Sequence, residues 1–309
     1  AVSGDALTKA GINNLQDIQQ LVPSVTFGND FNQAKVFIRG VGANTSTTGS
    51  STGVALHVDG AYVARAEAQL TSLFDLERVE VLRGPQGSLY GRNAVGGSIN
   101  LITAKPTDTF EAMVRAEVGN YGTQKVRGMV NIPLYQDKLA VRLAGTVLKR
   151  DGFVTNTFNN HKVDDRDLYS GRVQVMFNPT EKLHTNFLWE RFHEDDARAR
   201  TGKQLCTKDN GPATVGGVPT GASRVFLTQG CLPASLYGAS AYGTVNSSGT
   251  LTGLLGNIFG FTSGDVNAGG TTSTDLQQIA TALDPLYQSS SDSYQFTLNY
   301  DLTDQLSLT

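Results

Sequence analysis

After Pro106, apolar and polar residues alternate over long stretches, and this pattern restricts the fold to a sheet of unusually long strands. Side chains of a pleated strand point to alternate faces, so every second residue shares a face. Each apolar face spans about 9 to 11 residues, the length that a tilted strand needs to cross a bilayer. We predict six strands with apolar positions in Phe110–Val118, Val126–Leu134, Leu139–Val147, Tyr169–Phe177, Leu183–Trp189 and Tyr294–Leu302, and the start of a seventh at Leu306–Thr309.

The connections between these strands fall into two length classes. Tight turns are predicted at Tyr135–Asp137, Asn178–Lys182 and Leu302–Gln305, and longer loops at Asp151–Asp167 and Asp196–Asp292. Outer-membrane barrels have short periplasmic turns and long extracellular loops. The pattern therefore favours a transmembrane antiparallel β-barrel, although the short outer connection Asn120–Thr123 departs from the rule. The strands of a soluble β-sandwich also alternate between apolar and polar residues. The charged residues on the polar faces and the two classes of loop length argue against a sandwich.

Aromatic residues near the strand ends fit the same hypothesis. Membrane barrels carry aromatic girdles at both interfaces. We predict one girdle at the periplasmic end and one at the outer end, formed respectively by Phe110, Phe177 and Tyr300 and by Tyr169, Trp189 and Tyr294.

Composition excludes several classes of protein. Charged residues make up 17% of the chain, fewer than the ~25% of an average soluble domain. A net charge of -3 argues against a nucleic-acid partner, which requires a basic face. The sequence contains no run of eighteen apolar residues, so it predicts no membrane-spanning helix. Ala1–Gly11 lacks the basic and apolar regions of a signal peptide.

Before Pro106 the pattern is mixed α+β. Leu15, Ile18 and Leu21 predict a helix over Asn14–Leu21, which ends before Pro23 because the residue preceding proline avoids the α region. Gly40–Gly53 is a Gly/Ser/Thr loop. Short strands are predicted at Val36–Arg39, Leu56–Asp59, Arg78–Arg83 and Ser98–Thr103.

The segment Leu76–Thr103 contains the most specific motif. Two apolar strands enclose a series of turn residues, in which Gly84-Pro85 and Gly96-Gly97 are strong turn signals. The segment resembles the signature of the plug domain of TonB-dependent outer-membrane receptors, and the match runs through Arg83, Gly84, Pro85, Tyr90, Gly91, Gly96, Gly97, Ile99 and Asn100.

This resemblance implies a domain organisation. We expect a plug domain at residues 1–107, without its TonB box, followed at 108–309 by the first six to seven strands of a barrel. Plugged outer-membrane transporters have 22 strands, so we expect the chain to be a fragment.

The resemblance also implies a function. The family imports scarce nutrients across the outer membrane of Gram-negative bacteria, most often ferric siderophores, when the TonB–ExbB–ExbD complex pulls on a segment upstream of the plug. Saccharide or cobalamin receptors of the same family are alternatives, as are a passive porin-like barrel or a soluble carbohydrate-binding β-protein. We expect contacts with membrane lipid, and neither a cofactor nor enzymatic activity.

Two plug arginines are similar to family residues that meet glutamates on the barrel wall. These are Arg39 and Arg83, and we expect their partners on strands outside this chain, because a buried guanidinium requires a carboxylate. His57, Asp59, Gly60 and Tyr62 also resemble the plug core, with Asp59-Gly60 as a hairpin turn and Tyr62–Ala68 leading to an apex that faces the substrate.

The two cysteines, Cys206 and Cys231, lie in the longest loop. A disulfide between them would close a loop of about 26 residues and contribute roughly 3 kcal/mol, in an oxidising compartment. Two unrelated thiols are the alternative; zinc is disfavoured because neither has a second ligand at the usual spacing.

Other motifs give no chemical site. The glycine-rich segment lacks the Lys-Ser/Thr of a phosphate-binding loop. His193, Glu194, Asp195 and Asp196 alternate between the two faces of a strand, so we expect a solvated rim rather than a metal site. No Ser, His and Asp arrangement predicts a nucleophile.

Overall fold

The computed structural model describes residues 1–12, 14–30, 33–43, 52–64, 73–198, 205–235, 237–261, 264–268, 270, 272–303 and 306–308. These residues form two compact units. The first comprises residues 1–153, 162–200 and 284–309, and the second comprises 154–161 and 201–283. The predicted apex and the Gly/Ser/Thr loop lie largely outside the described residues, which omit 65–72 and 44–51.

The first unit begins with a small α+β domain, here named the N-terminal domain (residues 1–103). Its elements are β1 Val2–Ser3, α1 Gly4–Lys9, a 3₁₀ helix Leu15–Gln20, β2 Val25–Asp30, β3 Gln33–Ile38, β4 Val41–Gly42, β5 Val54–Val58, β6 Ala61–Tyr62, β7 Leu76–Arg83, α2 Gly87–Tyr90 and β8 Gly97–Thr103. They build a five-stranded sheet of order β1-β7-β8-β5-β6 and a three-stranded sheet β2-β3-β4. The strands β7 and β8 are antiparallel neighbours, whereas β5 runs parallel to β8.

The predicted first helix is a 3₁₀ helix rather than an α-helix. Asn14 caps it through a capping box with Asp17, and Val22-Pro23 follows at once. The backbone hydrogen bonds from Asp17 to Asn14 and from Leu21 to Ile18 have the i→i+3 spacing of a 3₁₀ helix. Its buried residues Leu15 and Ile18 join the core.

Alternation divides the two faces of the five-stranded sheet. Val79, Ile99 and Leu101 are buried in one hydrophobic core with the 3₁₀ helix and the three-stranded sheet. Their neighbours Glu80 and Asn100 point to the opposite face, because the side-chain period is two. The signature segment therefore supplies both core contacts and a separate polar surface.

The rest of the chain is almost entirely β structure. Its elements are β9 Glu111–Val118, β10 Gln124–Tyr135, β11 Leu139–Arg150, β12 Val154–Asn156, β13 Lys162–Val163, β14 Arg166–Thr180, β15 Leu183–Asp196, β16 Thr207–Lys208, β17 Thr214–Val215, β18 Val218–Pro219, a 3₁₀ helix Gly221–Leu227, β19 Cys231–Leu232, a 3₁₀ helix Ser247–Gly249, α3 Leu251–Ile258, β20 Gln278–Ile279, β21 Tyr287–Thr303 and β22 Leu306–Leu308. Among the helices of the described residues, none has the length and apolarity that a membrane-spanning helix requires.

Seven of these strands form one antiparallel sheet, here named the long sheet, of order β22-β21-β15-β14-β11-β10-β9. Each strand pairs with the next long strand along the chain. The prediction of six long strands and the start of a seventh is confirmed. The strands β14 and β21 begin earlier than predicted, at Arg166 and Tyr287.

The long sheet is inside out compared with a sheet of a soluble protein. On the apolar face, Val114 is 80% and Tyr294 69% exposed. On the polar face, Asn131, Arg142 and Gln174 are buried. Polar groups are therefore covered by the N-terminal domain, while apolar groups face outward. In a half-buried sheet of a soluble protein the apolar face is covered and the polar face is exposed.

The second unit contains the disulfide. Cys206 and Cys231 are bonded, with their Cα atoms 5.1 Å apart. Nearby, β16 pairs with β19, so that Thr207 and Lys208 lie opposite Leu232 and Cys231. Lys208 forms an ion pair with Asp265, which also accepts hydrogen bonds from the backbone and hydroxyl of Ser247.

Candidate functional site: the contact between the N-terminal domain and the long sheet

A buried ion pair joins the two parts of the first unit. Asp75 immediately precedes β7 and has a positive φ of 47°. Arg142 on β11 donates from Nε to Oδ2 of Asp75 at 2.8 Å and from Nη2 to Oδ1 at 2.6 Å. Both side chains are more than nine-tenths buried. This bidentate geometry is the strongest that an arginine and a carboxylate adopt.

A second arginine holds the same segment. Arg172 on β14 donates to the backbone carbonyl oxygens of Phe74 and Asp75 at 3.4 and 3.2 Å. Its guanidinium also lies 4.5 Å from the centre of the Phe74 ring. The charge of Arg172 is balanced by Glu190 on β15, which accepts from Nε at 2.7 Å. Phe74 and Asp75 are thus fixed by two neighbouring strands of the long sheet.

A chain of hydrogen bonds makes a second connection. Asp59 accepts from the backbone and hydroxyl of Thr103 at 2.9 and 2.6 Å. Thr103 in turn accepts from Nε2 of Gln174 at 2.7 Å. Gln295 on β21 donates to the carbonyl oxygen of Asp59 at 2.9 Å. The turn at Asp59-Gly60, which the sequence predicts, therefore also contacts the long sheet.

The segment that leads from β8 to β9 is held by one amide side chain. Asn131 on β10 is fully buried. Its Nδ2 donates to the carbonyl oxygens of Thr107 and Thr109 at 2.8 and 2.6 Å, and its Oδ1 accepts from the backbone of Thr107 at 3.0 Å. The exit of the chain from the N-terminal domain is therefore fixed against the sheet.

The glycines of the signature segment have two different structural reasons. Gly84 and Gly91 adopt positive φ values of 89° and 73°, which L-residues rarely adopt. At Gly96 a Cβ atom would lie 2.6 Å from the carbonyl oxygen of Val41, and at Gly97 it would lie 2.2 Å from that of Leu82. These close approaches are to strands of the N-terminal domain itself.

Tyr90, Asn100 and their neighbours form a partly buried polar network on the face away from the core. Asn100 donates to the hydroxyl of Tyr90 at 3.0 Å and to Glu80 at 3.3 Å, and it accepts from Ser98 at 3.0 Å. Nδ1 of His57 lies 3.1 Å from the Ser98 hydroxyl. Burial lowers the pKa of the His57 imidazole, because a charged ring would lose its hydration.

The two arginines that we expect to pair with barrel glutamates have no such partner among the described residues. Arg39 and Arg83 are both exposed, and neither forms an ion pair with another residue that the structure describes. Their pairing with barrel glutamates stays a prediction. Tyr62 accepts a hydrogen bond from Asn93 at 2.7 Å. From position 65 onward, the segment Tyr62–Ala68 that we predict to lead to the apex lies outside the described residues.

The expectation of a solvated rim at His193–Asp196 is wrong for two of the four residues. Glu194 and Asp196 are only 2% and 3% exposed. Arg166 and Arg198 contact Glu194 at 3.2 and 3.0 Å, and Arg198 lies 4.0 Å from the ring centre of Tyr287. Alternation places both carboxylates on the polar face, where arginines from adjacent segments neutralise them.

A charged cavity of about 530 Å³ lies beside this cluster, at the predicted outer ends of the strands. The 3₁₀ helix of the N-terminal domain contributes Asn14 and Asp17 to its wall, and the long sheet contributes cations such as Lys125 and Arg166. Asp164, in the loop before β14, also lines the cavity, and burial raises the pKa of its carboxyl. The cavity offers charged groups of both signs to a ligand. No cluster of three metal-ligating side chains occurs within the described part of the chain.

Sequence reasoning missed the residues of the long sheet that hold the N-terminal domain. Arg142, Arg172, Gln174 and Asn131 all lie at polar positions of alternating strands. The signal that could have found them is the presence of long polar side chains in the central parts of these strands, where the neighbouring domain covers them.

Comparisons with known proteins agree with this architecture. The family model described as TonB-dependent Receptor Plug Domain matches residues 1–98. The pesticin receptor of Yersinia pestis is 30% identical over 138 residues, which cover 45% of this chain and 20% of that protein. The ferric enterobactin receptor PirA of Pseudomonas aeruginosa is 27% identical over 190 residues, 55% of this chain and 26% of that protein. The chain thus spans about a quarter or less of the length of these relatives.

Solved structures show the same fold. The ferric yersiniabactin uptake receptor FyuA from Yersinia pestis superposes with a TM-score of 0.57 at 25% identity, covering 63% of this chain and 31% of that one. The closed form of the ferric-catecholate import receptor Fiu from E. coli K12 covers 98% of this chain and 34% of that one, with a TM-score of 0.59 at 19% identity. Residues 1–98 therefore match the plug domain of TonB-dependent receptors, and the long sheet has the fold of the barrel strands in the solved structures of such receptors.

Proposed function

We propose that this chain is the plug and the first seven barrel strands of an outer-membrane transporter that imports a ferric siderophore in a Gram-negative bacterium. The observation that carries the proposal is the inside-out long sheet, whose polar face is covered by the plug. An apolar outer face suits lipid, where backbone polar groups must be satisfied within the sheet. The polar face, which the plug covers, fits the interior of a barrel that the plug closes.

The ligand class follows from the relatives. Two of them are described as receptors for ferric enterobactin and ferripyoverdine, and a solved structure is that of a ferric yersiniabactin uptake receptor. A receptor for a saccharide or for cobalamin is the alternative within the family, because the fold alone does not select a ligand. The charged cavity beside Lys125 and Arg166 is our candidate for a ligand-contacting surface.

Further strands and partners belong to the proposal. The edges of the long sheet are β9 and β22, and about fifteen more strands would complete a 22-stranded plugged barrel. The TonB–ExbB–ExbD complex would engage a segment upstream of the plug by strand addition. We place the boundary between plug and barrel after residue 107, where the hydrogen bonds of Asn131 to Thr107 begin.

An open porin, a soluble β-protein and an enzyme fit the structure less well. A porin would leave the polar face of the sheet in water, whereas here Arg142, Arg172 and Gln174 contact the plug. A soluble protein would not expose a continuous apolar face. The relatives are receptors and uptake proteins, and no enzymatic activity is part of the proposal.

Uptake of radioactive iron tests the function. A strain without its own siderophore receptors would express the full-length protein, and ⁵⁵Fe bound to enterobactin, pyoverdine or yersiniabactin would be supplied in turn. We expect accumulation with at least one of them, and loss of accumulation in a strain without TonB. Uptake that persists without TonB would indicate a passive channel, and a full-length product that stays soluble without detergent would exclude the membrane.

A further inference from the structure

A groove of about 810 Å³ crosses the outward, apolar face of the long sheet. Its walls are formed by apolar side chains from β10, β11, β14 and β15: Val126, Val130, Leu143, Val147, Tyr169, Val173 and Trp189. Its floor is a row of three glycines on adjacent strands. Gly128 lies directly opposite Gly145, and Gly145 directly opposite Gly171.

The strand backbone does not require glycine at Gly128 or Gly171, two of these three positions. None of the three has a positive φ, and the register is continuous through them. A Cβ at Gly171 would meet no atom within 4 Å, and one at Gly128 would lie 3.6 Å from its nearest neighbour, the carbonyl oxygen of Met113. Only at Gly145 would a Cβ be tight, at 3.3 Å from the carbonyl oxygen of Ser170. Glycine in a strand interior weakens the strand and often marks the close approach of a ligand. The open floor is therefore a feature of the surface rather than a consequence of backbone geometry.

One end of the groove carries a charged group. Arg191 lies directly opposite Gly171 on the neighbouring strand and is half exposed. Its Nη1 contacts Oδ2 of Asp292 at 3.1 Å, and Trp189 donates from Nε1 to Oδ1 of the same carboxylate at 3.1 Å. The side chain of Tyr169 also hydrogen-bonds with Arg191. A guanidinium has five N–H donors in a fork that matches phosphate, so donors remain for a second anion.

We propose that the groove binds a phosphate-bearing lipid of the surrounding membrane, with one acyl chain on the glycine floor and the phosphate at Arg191. From Gly128 on β10 to Arg191 on β15 the row crosses three strand spacings, about 14 Å, and half of the hydrocarbon core measures about 15 Å. One extended acyl chain therefore fits the groove in length. The charge of Arg191 selects the phosphate of the headgroup. The proposal rests on the membrane location proposed above.

Native mass spectrometry of the detergent-solubilised full-length protein tests the site. The probes are dioleoyl phosphatidylglycerol and, as the uncharged lipid with the same chains, dioleoylglycerol. We expect the protein to bind phosphatidylglycerol about tenfold more tightly. Arg191→Gln should abolish this preference. Gly171→Leu should fill the floor and weaken binding of both lipids, whereas Val175→Leu, on the outward face of the same strand but outside the groove, should change neither.

Three results would overturn the lipid site. These are equal binding of the two lipids by the unchanged protein, a preference that survives Arg191→Gln, or lipid binding by a folded Gly171→Leu variant that equals the Val175→Leu control. If Gly171→Leu does not fold, the glycines serve strand geometry, and the first two measurements still decide. Because none of these residues contacts the plug, iron uptake by Arg191→Gln should persist, so failure of the lipid site is separate from failure of the transport function.

Discussion

The carboxylate of Asp75 in the plug and the guanidinium of Arg142 on the barrel strand β11 form a bidentate ion pair, with N···O distances of 2.8 and 2.6 Å. The two residues are separated by 67 positions in the sequence and are buried together. Removing one member of a buried pair leaves an uncompensated charge, at a cost of about 3–5 kcal/mol. This contact is therefore a main attachment of the plug to the wall.

We expect Arg142→Gln to loosen the plug. The change should lower the free energy of unfolding of the solubilised full-length protein by about 3–5 kcal/mol and increase proteolytic cleavage near residue 75. Asp75→Asn combined with Arg142→Gln should cost less than the sum of the single changes. Arg115→Gln, which removes an exposed pair with Glu117, is the matched control with little effect. Additive costs would show that the two side chains do not act together.

Arg172→Lys should weaken the same attachment although it keeps the charge. Lysine cannot reproduce the two contacts of 2.7 Å with Glu190 together with the stacking on Phe74, because its ammonium is a single point. We expect a loss of about 1–3 kcal/mol, measured by thermal unfolding in detergent. An unchanged melting temperature would mean that charge alone suffices at this position.

Gly96→Val should prevent packing of the plug. The new Cβ would lie 2.6 Å from the backbone oxygen of Val41 and 3.2 Å from Cγ2 of Val54, so β4 or β5 would have to move. We expect little folded receptor in the outer membrane, scored by heat-modifiable migration on gels. Gly87→Ala is the control, since a Cβ there meets no atom within 4 Å. Normal folding of the Gly96→Val receptor would contradict the close approach.

Plug stability should fall in mild acid because of His57. Burial lowers the pKa of this imidazole in the folded state below the ordinary value of 6.5. The unfolded chain then binds more protons as the pH falls below about 6.5, so stability is fully present above that pH and is lost toward the folded pKa. Denaturant midpoints measured between pH 7.5 and 5 should decrease, and His57→Gln should flatten this part of the profile. A slope that His57→Gln leaves unchanged would assign the effect to other groups.

Reduction should loosen the second unit. The Cys206–Cys231 disulfide closes a segment with a separation of 25 residues, which corresponds to about 3 kcal/mol of loop entropy. We expect Cys206→Ser/Cys231→Ser to make this segment more sensitive to trypsin, with cleavage at Lys208 and Arg224. The protein with the intact disulfide should resist trypsin at the same protease concentration. Equal sensitivity of this protein and the variant would show that other contacts hold the loop.

Much of the fold is readable from local patterns. The alternation after Pro106 predicted the long strands because a strand places neighbouring side chains on opposite faces whatever surrounds it. In Leu76–Thr103, alternating apolar residues indicated the strands β7 and β8, and the glycines between them indicated the turns and the plug signature. Alternation also separated Glu194 from His193, although the environment assigned to Glu194 was wrong.

The tertiary structure decided which polar groups meet. Nothing near Arg142 in the sequence indicates Asp75, and nothing near Gln174 indicates Thr103, because these contacts depend on how the plug lies against the polar face of the barrel sheet. The same holds for Gly128, Gly145 and Gly171, which form one groove floor only through the register of three strands. Side-chain period is a local property of the backbone and the sequence contains it; contacts between distant segments arise from packing, which the sequence specifies only through the complete fold.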